Sequence, residues 1–254
     1  MEIEDAIRTF VEDYLESISC QGVVGFAVFK DVYDELMPIQ KEKLVDIAAD
    51  KFDELMNSGS IISFGITYQD AAIDAINKAT DGGTDYELWN FYSGEYARLN
   101  RLLDQISHAV ADRFDGIPIT ATLQGLTDKV KHVTDYYGLT ISHRVVAEMA
   151  GLGWRGKNGL LINEKFSCAI RFASVLTTYP LTAPGKMDSQ CGKCHACEDV
   201  CTFIKNREKL PNYRENCRKY IVHLQSEGLT HDVCGKCIQA CYRNSIFNRQ
   251  FTLE

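Results

Sequence analysis

Residues 191–201 read Cys191-Gly-Lys-Cys194-His-Ala-Cys197-Glu-Asp-Val-Cys201, and residues 234–241 read Cys234-Gly-Lys-Cys237-Ile-Gln-Ala-Cys241. Cys217 stands alone between the two runs, so eight of the ten cysteines in this 254-residue chain lie within one short stretch. A secreted disulfide-rich protein is short and spreads its cysteines through the fold, whereas these cysteines are concentrated at metal-ligand spacing. The sequence therefore favours metal binding over disulfide formation.

The first run has the spacing C-x₂-C-x₂-C-x₃-C, which is typical of bacterial ferredoxins, where three thiolates bind one [4Fe–4S] cluster and the fourth binds a second. We therefore assign Cys191, Cys194, Cys197 and Cys241 to cluster 1, and Cys201, Cys217, Cys234 and Cys237 to cluster 2. Zinc sites are the alternative, because C-x₂-C pairs also build zinc ribbons. Three consecutive cysteines at x₂ spacing suit a cluster better. His195, inside the first run, is expected to face solvent.

Composition and charge limit the functional classes to which the protein can belong. A net charge of −8 argues against a large nucleic-acid surface, which needs clustered lysine and arginine. No apolar run approaches the roughly 20 residues of a membrane span, so no membrane contact is expected. The acidic, amphipathic N-terminus resembles neither a secretory signal nor a transit peptide, which makes the cytoplasm the expected compartment. Cys20 and Cys168, far from the other cysteines, are expected to be buried free thiols.

Hydrophobic periodicity predicts alternating helices and strands in the first 180 residues. The predicted helices cover residues 3–18, 40–57, 70–78, 86–114 and 141–150. The predicted strands cover residues 23–29, 61–68, 117–123, 160–163 and 172–178. The turn-rich stretch 180–187 (PLTAPGKM) is the expected joint between an α/β domain at residues 1–180 and a cluster domain at residues 181–254.

A glycine-rich loop follows the last predicted helix. Residues 151–156 match G-x-G-x-x-G, but this motif binds dinucleotides only after a strand and before a helix, and here it follows a helical stretch and leads into apolar LLI. The match is therefore a false positive for NAD. The glycines still allow close backbone approach, and the polar side chains offer contacts, so the residues leave open a cofactor-facing loop and a loop that packs tightly against the cluster domain. The family resemblance described next favours the cofactor-facing loop. The candidate cofactor-binding residues are Gly151, Gly153, Trp154, Gly156, Lys157 and Asn158.

This loop, about 40 residues before the cysteine runs, resembles the A-G-L-G-W-x-G-K-[HN] loop of the epoxyqueuosine reductase family. The family also has an apolar strand after the loop and the same cysteine spacing, so the resemblance is strong from about residue 147 to residue 241. It implies an α+β fold: a nitroreductase-like α/β domain with a mixed sheet flanked by helices, then a ferredoxin-like domain with two [4Fe–4S] clusters. It also implies base-off cobalamin reduced by those clusters, an architecture that reductive dehalogenases share.

Three features depart from the family pattern. The family's catalytic Asp falls at Tyr137 here, within Asp135-Tyr136-Tyr137, and its accompanying Pro and Glu are missing. Only thirteen residues follow Cys241, where the tRNA enzymes carry a helical repeat domain. The net charge is acidic. We therefore do not expect tRNA to be a partner. We take Tyr137 as the leading candidate proton donor, followed by Tyr136 and Asp135, with His143 or Arg144 as the cation that stabilises a phenolate.

Three functions remain open from the sequence. The leading hypothesis is an oxidoreductase in which two [4Fe–4S] clusters, supplied by a ferredoxin- or flavodoxin-type donor, reduce a cobalamin that acts on a small molecule. The alternative is an electron-transfer protein without its own chemistry, whose acidic surface docks to a redox partner such as a corrinoid protein. The second alternative is tRNA epoxyqueuosine reductase itself.

Overall fold

A four-stranded antiparallel sheet forms the centre of the fold, with the strand order β1-β2-β8-β5. The structure, a computed structural model, describes residues 2–121 and 130–244. The strands are β1 (Gly22–Val28), β2 (Ser60–Thr67), β3 (Ala79–Thr80), β4 (Gly83–Thr84), β5 (Ile117–Ile119), β6 (Trp154–Arg155), β7 (Leu161–Ile162) and β8 (Ile170–Thr177). The expectation of a mixed sheet is wrong, because every pairing in this sheet is antiparallel. The α+β class itself is confirmed.

Helices cover both faces of the sheet. They are α1 (Ile3–Ser17), α2 (Phe29–Glu35), α3 (Pro38–Ala48), α4 (Phe52–Ser58), α5 (Asp70–Asp74), α6 (Tyr86–Arg113), α7 (Val133–Tyr137), α8 (His143–Met149), α9 (Ala196–Asp199), α10 (Thr202–Lys205), α11 (Tyr213–Ser226) and α12 (Lys236–Asn244). A 3₁₀ turn at Ala49–Lys51 separates α3 from α4. The predicted single helix over residues 40–57 is therefore wrong. Ala49 has a φ of +48°, a left-handed conformation that interrupts an α-helix.

The side-chain alternation of the strands explains the two layers. Phe26, Ile62 and Phe64 point to the face covered by α1 and α6, whereas Ala27 and Ile61 point to the face covered by α2 and α8. Successive residues of a strand face opposite sides, so a strand that is apolar on both faces must be covered twice. The apolar runs in β1 and β2 are consistent with this burial.

The cysteine-rich segment packs against the long helix α6. The N-terminus of α6 is capped by Asp85, whose carboxylate accepts a hydrogen bond from the Leu88 amide at 2.8 Å. Trp89 is fully buried on this helix, and its indole N–H donates to the Cys234 carbonyl at 3.0 Å. Leu224 and Leu229 belong to the same core cluster as Trp89. The cysteine-rich segment therefore shares the main hydrophobic core, and the division into domains at residue 180 stays a prediction.

The remaining predicted elements differ from the structure mainly at their ends. Phe29 begins α2 instead of ending the first strand, and the predicted strands 160–163 and 172–178 correspond to β7 and β8. The predicted strand 117–123 is represented by β5, and its last two positions lie outside the described residues. None of the helices in residues 2–121 and 130–244 is long and apolar enough to cross a membrane.

Candidate functional site

The cysteines assigned to cluster 1 lie together near α9 and α12. Cys197 is buried, and this burial, together with the nearby thiols of Cys241, Cys191 and Cys194 and the carboxylate of Glu198, raises the pKa of Cys197 to about 11. The Cys194 amide donates to the Cys191 carbonyl at 2.9 Å, which closes the tight loop between these residues. Cys241, distant in sequence, thus joins the first three cysteines in space.

The cysteines assigned to cluster 2 form a second group. Burial, then the thiols of Cys234 and Cys201, raise the pKa of Cys217 to about 12. Burial and the thiols of Cys234, Cys217 and Cys201 raise the pKa of Cys237 well above its ordinary value. The structure therefore brings the eight cysteines into the two groups that the spacing predicts, while the clusters themselves stay a prediction.

The donor set of each group fits a [4Fe–4S] cluster. A cluster of this kind takes four thiolates, one on each iron atom. A zinc ion, by contrast, draws its four ligands to within about 2.3 Å of one centre. Among the residues that the structure describes, no three His, Cys, Asp or Glu side chains are grouped so that they could hold a single metal ion. Four thiols in each group match the four ligands that one [4Fe–4S] cluster takes.

Cluster 1 residues are supported closely by the rest of the protein. Lys157 donates from Nζ to the carbonyl oxygens of Gly192 and Cys194, both at 2.8 Å. The Ser167 hydroxyl lies 3.2 Å from Cys241 Sγ, and Ser167 is fully buried with a φ of +52°. Hydrogen bonds to cluster sulfurs adjust the reduction potential of iron–sulfur clusters. Ser167 is therefore placed to influence the cluster that Cys241 would bind.

The two lone cysteines differ in their burial. Cys168 is buried, as predicted, and its thiol accepts a hydrogen bond from Asn158 Nδ2 at 3.5 Å. Hydrogen bonding with Cys241 and burial raise its pKa well above the ordinary value, so it remains a protonated thiol. Cys20 is only half-buried, because it lies where the chain leaves α1 for β1 at the edge of the core.

Much of the glycine-rich loop packs against the protein. A Cβ atom on Gly153 would lie 2.1 Å from the Ile162 carbonyl oxygen, and one on Gly151 would lie 2.5 Å from Pro184 Cγ. Both residues also have positive φ values, so the hairpin β6–β7 requires glycine at these positions. Trp154 is buried in a cluster with Ile162 that contacts Cys191 and Cys241.

The six candidate cofactor-binding residues therefore do not share one surface. Asn158 lines a cavity of about 700 Å³, and Lys157 holds the first cysteine run. Gly151, Gly153 and Trp154 serve the local packing that the sequence left as the alternative. Gly156 is enclosed in the same way, because a Cβ atom there would lie 2.7 Å from Ile162 Cγ1.

The larger cavity, of about 700 Å³, lies between the glycine-rich loop, α7, α10 and α11. All four cysteines assigned to cluster 2 line it. A smaller cavity of about 290 Å³ adjoins it and extends to β8 and α8. Both cavities share five residues: Tyr136, Tyr137, Gly159, Leu160 and Arg214. The shared wall places two of the three proton-donor candidates between the second cysteine group and the smaller cavity.

Helix α7, which carries these tyrosines, is fixed to α11 by a buried carboxylate. Glu215 accepts a hydrogen bond from the Val133 amide at 2.8 Å and pairs with Arg218 at 2.8 Å. These hydrogen bonds lower the pKa of Glu215 to about 2, with the Arg218 guanidinium as the main cause. These contacts therefore fix the position of the tyrosines on α7 relative to Cys217 on α11.

Asp135 has a different role from the tyrosines. It is exposed and lines neither cavity, and its carboxylate accepts hydrogen bonds from the amides of Lys131 and His132 at 3.1 and 3.0 Å. These bonds satisfy free N–H groups at the start of α7. The position of Asp135 therefore indicates helix capping.

The two residues predicted to stabilise a phenolate, His143 and Arg144, have different surroundings. His143 is buried between the Ser174 hydroxyl at 2.9 Å and the Thr120 carbonyl at 2.7 Å. Burial lowers its pKa to about 4, so it is neutral near pH 7 and cannot stabilise a phenolate by charge. Arg144 donates to the Gly159 carbonyl at 2.5 Å and lines the smaller cavity.

Sequence reasoning did not identify Arg214, Arg171 or Tyr68. Arg214 lies within hydrogen-bonding reach of Tyr137 and is the cation nearest to that phenol for which the structure shows an interaction. Arg171 and Tyr68 line the smaller cavity from β8 and the end of β2. They belong to segments read only as strands, so nothing in the sequence pattern linked them to α7.

Comparison with known proteins supports the resemblance seen in the sequence. The chain is 31% identical over 117 residues to the epoxyqueuosine reductase of Pseudomonas aeruginosa, which covers 43% of this chain and 32% of that protein. It is 30% identical over 122 residues to the epoxyqueuosine reductase of Staphylococcus aureus, covering 43% and 31%. The matched part of the chain is similar in sequence to the epoxyqueuosine reductases. The matches span about a third of those relatives. No family model matches.

Solved epoxyqueuosine reductases are also structurally similar over part of their length. The enzyme from Streptococcus thermophilus has a TM-score of 0.41 at 19% identity, covering 80% of this chain and 53% of that one. A second structure, at 18% identity and a TM-score of 0.40, is described as epoxyqueuosine reductase with an epoxyqueuosine-modified tRNA-Tyr stem loop. The expectation that tRNA is not a partner is therefore wrong for this group of proteins, and net charge alone was a poor guide.

Proposed function

We propose that this protein is an iron–sulfur reductase of the epoxyqueuosine reductase type, which reduces a modified nucleoside carried by tRNA. The observation that carries this proposal is the larger cavity, which brings the four cysteines of the second group to the same wall as Tyr136 and Tyr137. Electrons and a proton can then reach one shared volume. The sequence similarity to epoxyqueuosine reductases supports this choice of reactant.

The stoichiometry of the reaction suits this arrangement. Reduction of an epoxide to an alkene consumes two electrons and two protons and releases the oxygen as water. Each [4Fe–4S] cluster carries one electron, so a pair of clusters holds the two electrons that one turnover requires. The eight cysteines provide ligands for such a pair.

Tyr137 is the proposed proton donor. Its hydroxyl lies beside the Arg214 guanidinium on the wall shared by the two cavities. A phenol donates a proton more readily when a neighbouring cation stabilises the phenolate that remains. Tyr136, on the same wall, is the second candidate.

The lining of the larger cavity suits a cobalamin. The larger cavity is lined mostly by apolar and aromatic side chains, among them Phe203, Ile204, Tyr220 and Ile221, as ligand sites for large flat molecules usually are. When bound there, a cobalamin would supply a strongly reducing metal centre next to the second cysteine group. The residues of this chain would hold the macrocycle and exclude water.

A pure electron-transfer protein is a weaker reading of this geometry. Such a protein exposes its cluster near the surface for a partner and needs no reactant cavity. Here the cavity of about 700 Å³ that the second cysteine group lines, part of which its cluster would occupy, also has candidate proton donors on its wall. The cavity therefore favours a reductase.

The test is conversion of epoxyqueuosine to queuosine in tRNA. Protein purified without oxygen, with its clusters reconstituted, is incubated with a chemical reductant, cobalamin and tRNA from cells that accumulate epoxyqueuosine. We expect queuosine to appear in nuclease digests by mass spectrometry, and Cys217→Ala protein to yield none. Absence of product from protein with intact clusters and bound cobalamin would contradict the proposal.

A further inference from the structure

The smaller cavity has a wall that is positively charged. Three arginines line it, Arg144 from α8, Arg171 from β8 and Arg214 from α11. Among its described lining residues there is no Asp or Glu. This is unexpected in a chain with 35 acidic and 27 basic residues, where a random cluster of ionisable groups would include carboxylates.

Two of these guanidinium groups converge at Gly159. A Cβ atom built on Gly159 would lie 3.6 Å from Arg214 Nη2 and 4.0 Å from Arg144 Nη1. Burial and the positive charges of Arg155 and Arg214 lower the pKa of Arg144 to about 10. Like charges held this close are unfavourable, and an anion between them would relieve the repulsion.

Arg171 is held rigidly at the other side of the cavity. Its Nε donates to Asn100 Oδ1 at 2.6 Å, and its guanidinium carbon lies 4.1 Å from the centre of the Tyr96 ring. The buried hydroxyl of Tyr68 lies beside it and adds another donor to the same wall. These neutral partners orient the guanidinium but leave its charge uncompensated.

Five other arginines of the chain have carboxylate partners. Arg98, Arg155 and Arg218 each pair with a glutamate at 2.7 or 2.8 Å, and Arg207 and Arg243 also have carboxylate partners. Within residues 2–121 and 130–244, no ion pair involves Arg144, Arg171 or Arg214. Glu148, the carboxylate that acts on Arg144, is already bound by Arg155.

We propose that the smaller cavity is a phosphate-binding site, formed by Arg144, Arg171 and Arg214, that holds a phosphate of the nucleotide on which the reductase acts. Guanidinium groups match phosphate oxygens in geometry and charge, and several donors around one small volume suit a group with three or four acceptor oxygens better than a carboxylate. The identity of the phosphate rests on the proposed function. The site would position the nucleoside so that its reacting part extends into the larger cavity.

Binding of adenosine 5′-monophosphate, compared with adenosine, tests the site without turnover. Isothermal titration calorimetry uses the protein with reconstituted clusters and no cobalamin, under anaerobic conditions. We expect the monophosphate to bind at least about tenfold more tightly than adenosine, because a charged hydrogen bond contributes more than a neutral one. Arg171→Gln should remove most of this preference and leave adenosine binding unchanged. Arg243→Gln, whose guanidinium pairs with Asp74 away from the cavity, is the matched control and should keep the preference.

Arg214→Gln provides a second variant, because Arg214 is exposed at the rim and its loss should not disturb the core as loss of Arg171 could. Equal binding of the two ligands by the unchanged protein, or an unchanged preference in both variants, would overturn the proposal.

A corrinoid with a nucleotide tail is another source of phosphate. Cobinamide lacks that phosphate, so its binding is compared with that of cobalamin. If Arg171→Gln weakens only cobalamin, and the monophosphate shows no preference over adenosine, the phosphate belongs to the corrinoid and the assignment to the nucleotide is overturned. If the monophosphate preference holds but tRNA epoxyqueuosine is not reduced, the proposed function fails and the phosphate site stands.

Discussion

The two cysteine groups have the same ligand chemistry but very different surroundings. The first group is enclosed by protein: Lys157 holds its loop, Ser167 contacts Cys241, and Trp154 packs against it. Only Cys194 among its members is exposed. The second group instead opens, through all four cysteines, into the larger cavity.

This difference suggests a direction for electron flow. A cluster at the first group, with one ligand at the surface, is suited to accept electrons from an external donor. A cluster at the second group is suited to pass them to a reactant in the cavity. Cys237 lies close enough to the first group for Cys197 to influence its pKa, so the two clusters would be neighbours.

Removal of one cysteine from each group should give the largest difference in activity between the two groups. We expect both Cys217→Ala and Cys194→Ala to lose about half of the bound iron, because each cluster needs four thiolates. With a strong chemical reductant in excess, Cys217→Ala should be inactive, whereas Cys194→Ala should retain activity. Iron analysis and electron paramagnetic resonance report the remaining cluster. Equal activity of the two variants would contradict the assigned direction.

Replacement of the candidate proton donor should have the next largest effect. Tyr137→Phe removes the hydroxyl beside Arg214, and we expect kcat to fall about 10²- to 10⁴-fold, the usual contribution of a general acid. Iron content and cluster spectra should stay unchanged. Asp135→Asn is the neighbouring control, since Asp135 caps α7 and lines neither cavity. It should keep kcat and reduce thermal stability slightly. A larger loss of kcat in Asp135→Asn would move the donor role to the carboxylate.

The buried His143 should make stability depend on pH. Its pKa is lowered to about 4 in the folded state, while the unfolded chain has an ordinary value near 6.5, so only the unfolded state binds a proton between these values. The stabilising contribution is complete above about pH 6.5 and decreases by about 3 kcal/mol as the pH falls to 4. His143→Gln should flatten the thermal stability profile between pH 6.5 and 5, measured by calorimetry.

The control for this prediction is His108→Gln, which changes an exposed histidine on α6. That variant should follow the profile of the unchanged protein. If His143→Gln also follows it, His143 is not the titrating group.

The smallest predicted effect is a change in the reduction potential of the first cluster alone. Ser167→Ala removes a hydrogen bond to Cys241 Sγ that stabilises the more negative, reduced cluster. We expect the potential of the first cluster to fall by tens of millivolts, since a tenfold change in a one-electron equilibrium is about 59 mV. The second cluster should not change. Ser167→Gly removes the same hydroxyl and relieves the positive φ, so it should give the same shift in a redox titration. Different shifts in the two variants would indicate a backbone effect.

The sequence identified the features with strict local spacing. The cysteine runs predicted the two groups, because the spacing within each run is a local property of the chain. The crossing of Cys201 and Cys241 followed from the ferredoxin pattern and not from local spacing. Apolar periodicity likewise located β1, β2, β8, α1 and α6, since these elements are buried on regular faces.

The sequence could not locate features that depend on long-range contacts. Arg171 and Arg214 are 43 positions apart, and only the packing of β8 near α11 brings them to one cavity. The glycine-rich loop was assigned to a cofactor because the sequence shows conformational freedom but not what approaches the backbone. In the structure, Ile162 and Pro184 approach Gly153 and Gly151. The acidic net charge similarly concealed a local group of unpaired arginines.

In the function that we propose, the second cysteine group delivers electrons to a tRNA-borne reactant in the larger cavity. The most direct test mixes fully reduced, cobalamin-loaded protein with an epoxyqueuosine-containing tRNA stem loop, without further reductant, and follows both clusters by rapid freeze-quench electron paramagnetic resonance. Our account predicts that cluster oxidation matches queuosine formation in time and amount, and that Cys217→Ala shows neither. Clusters that stay reduced for as long as the stem loop is bound would contradict it.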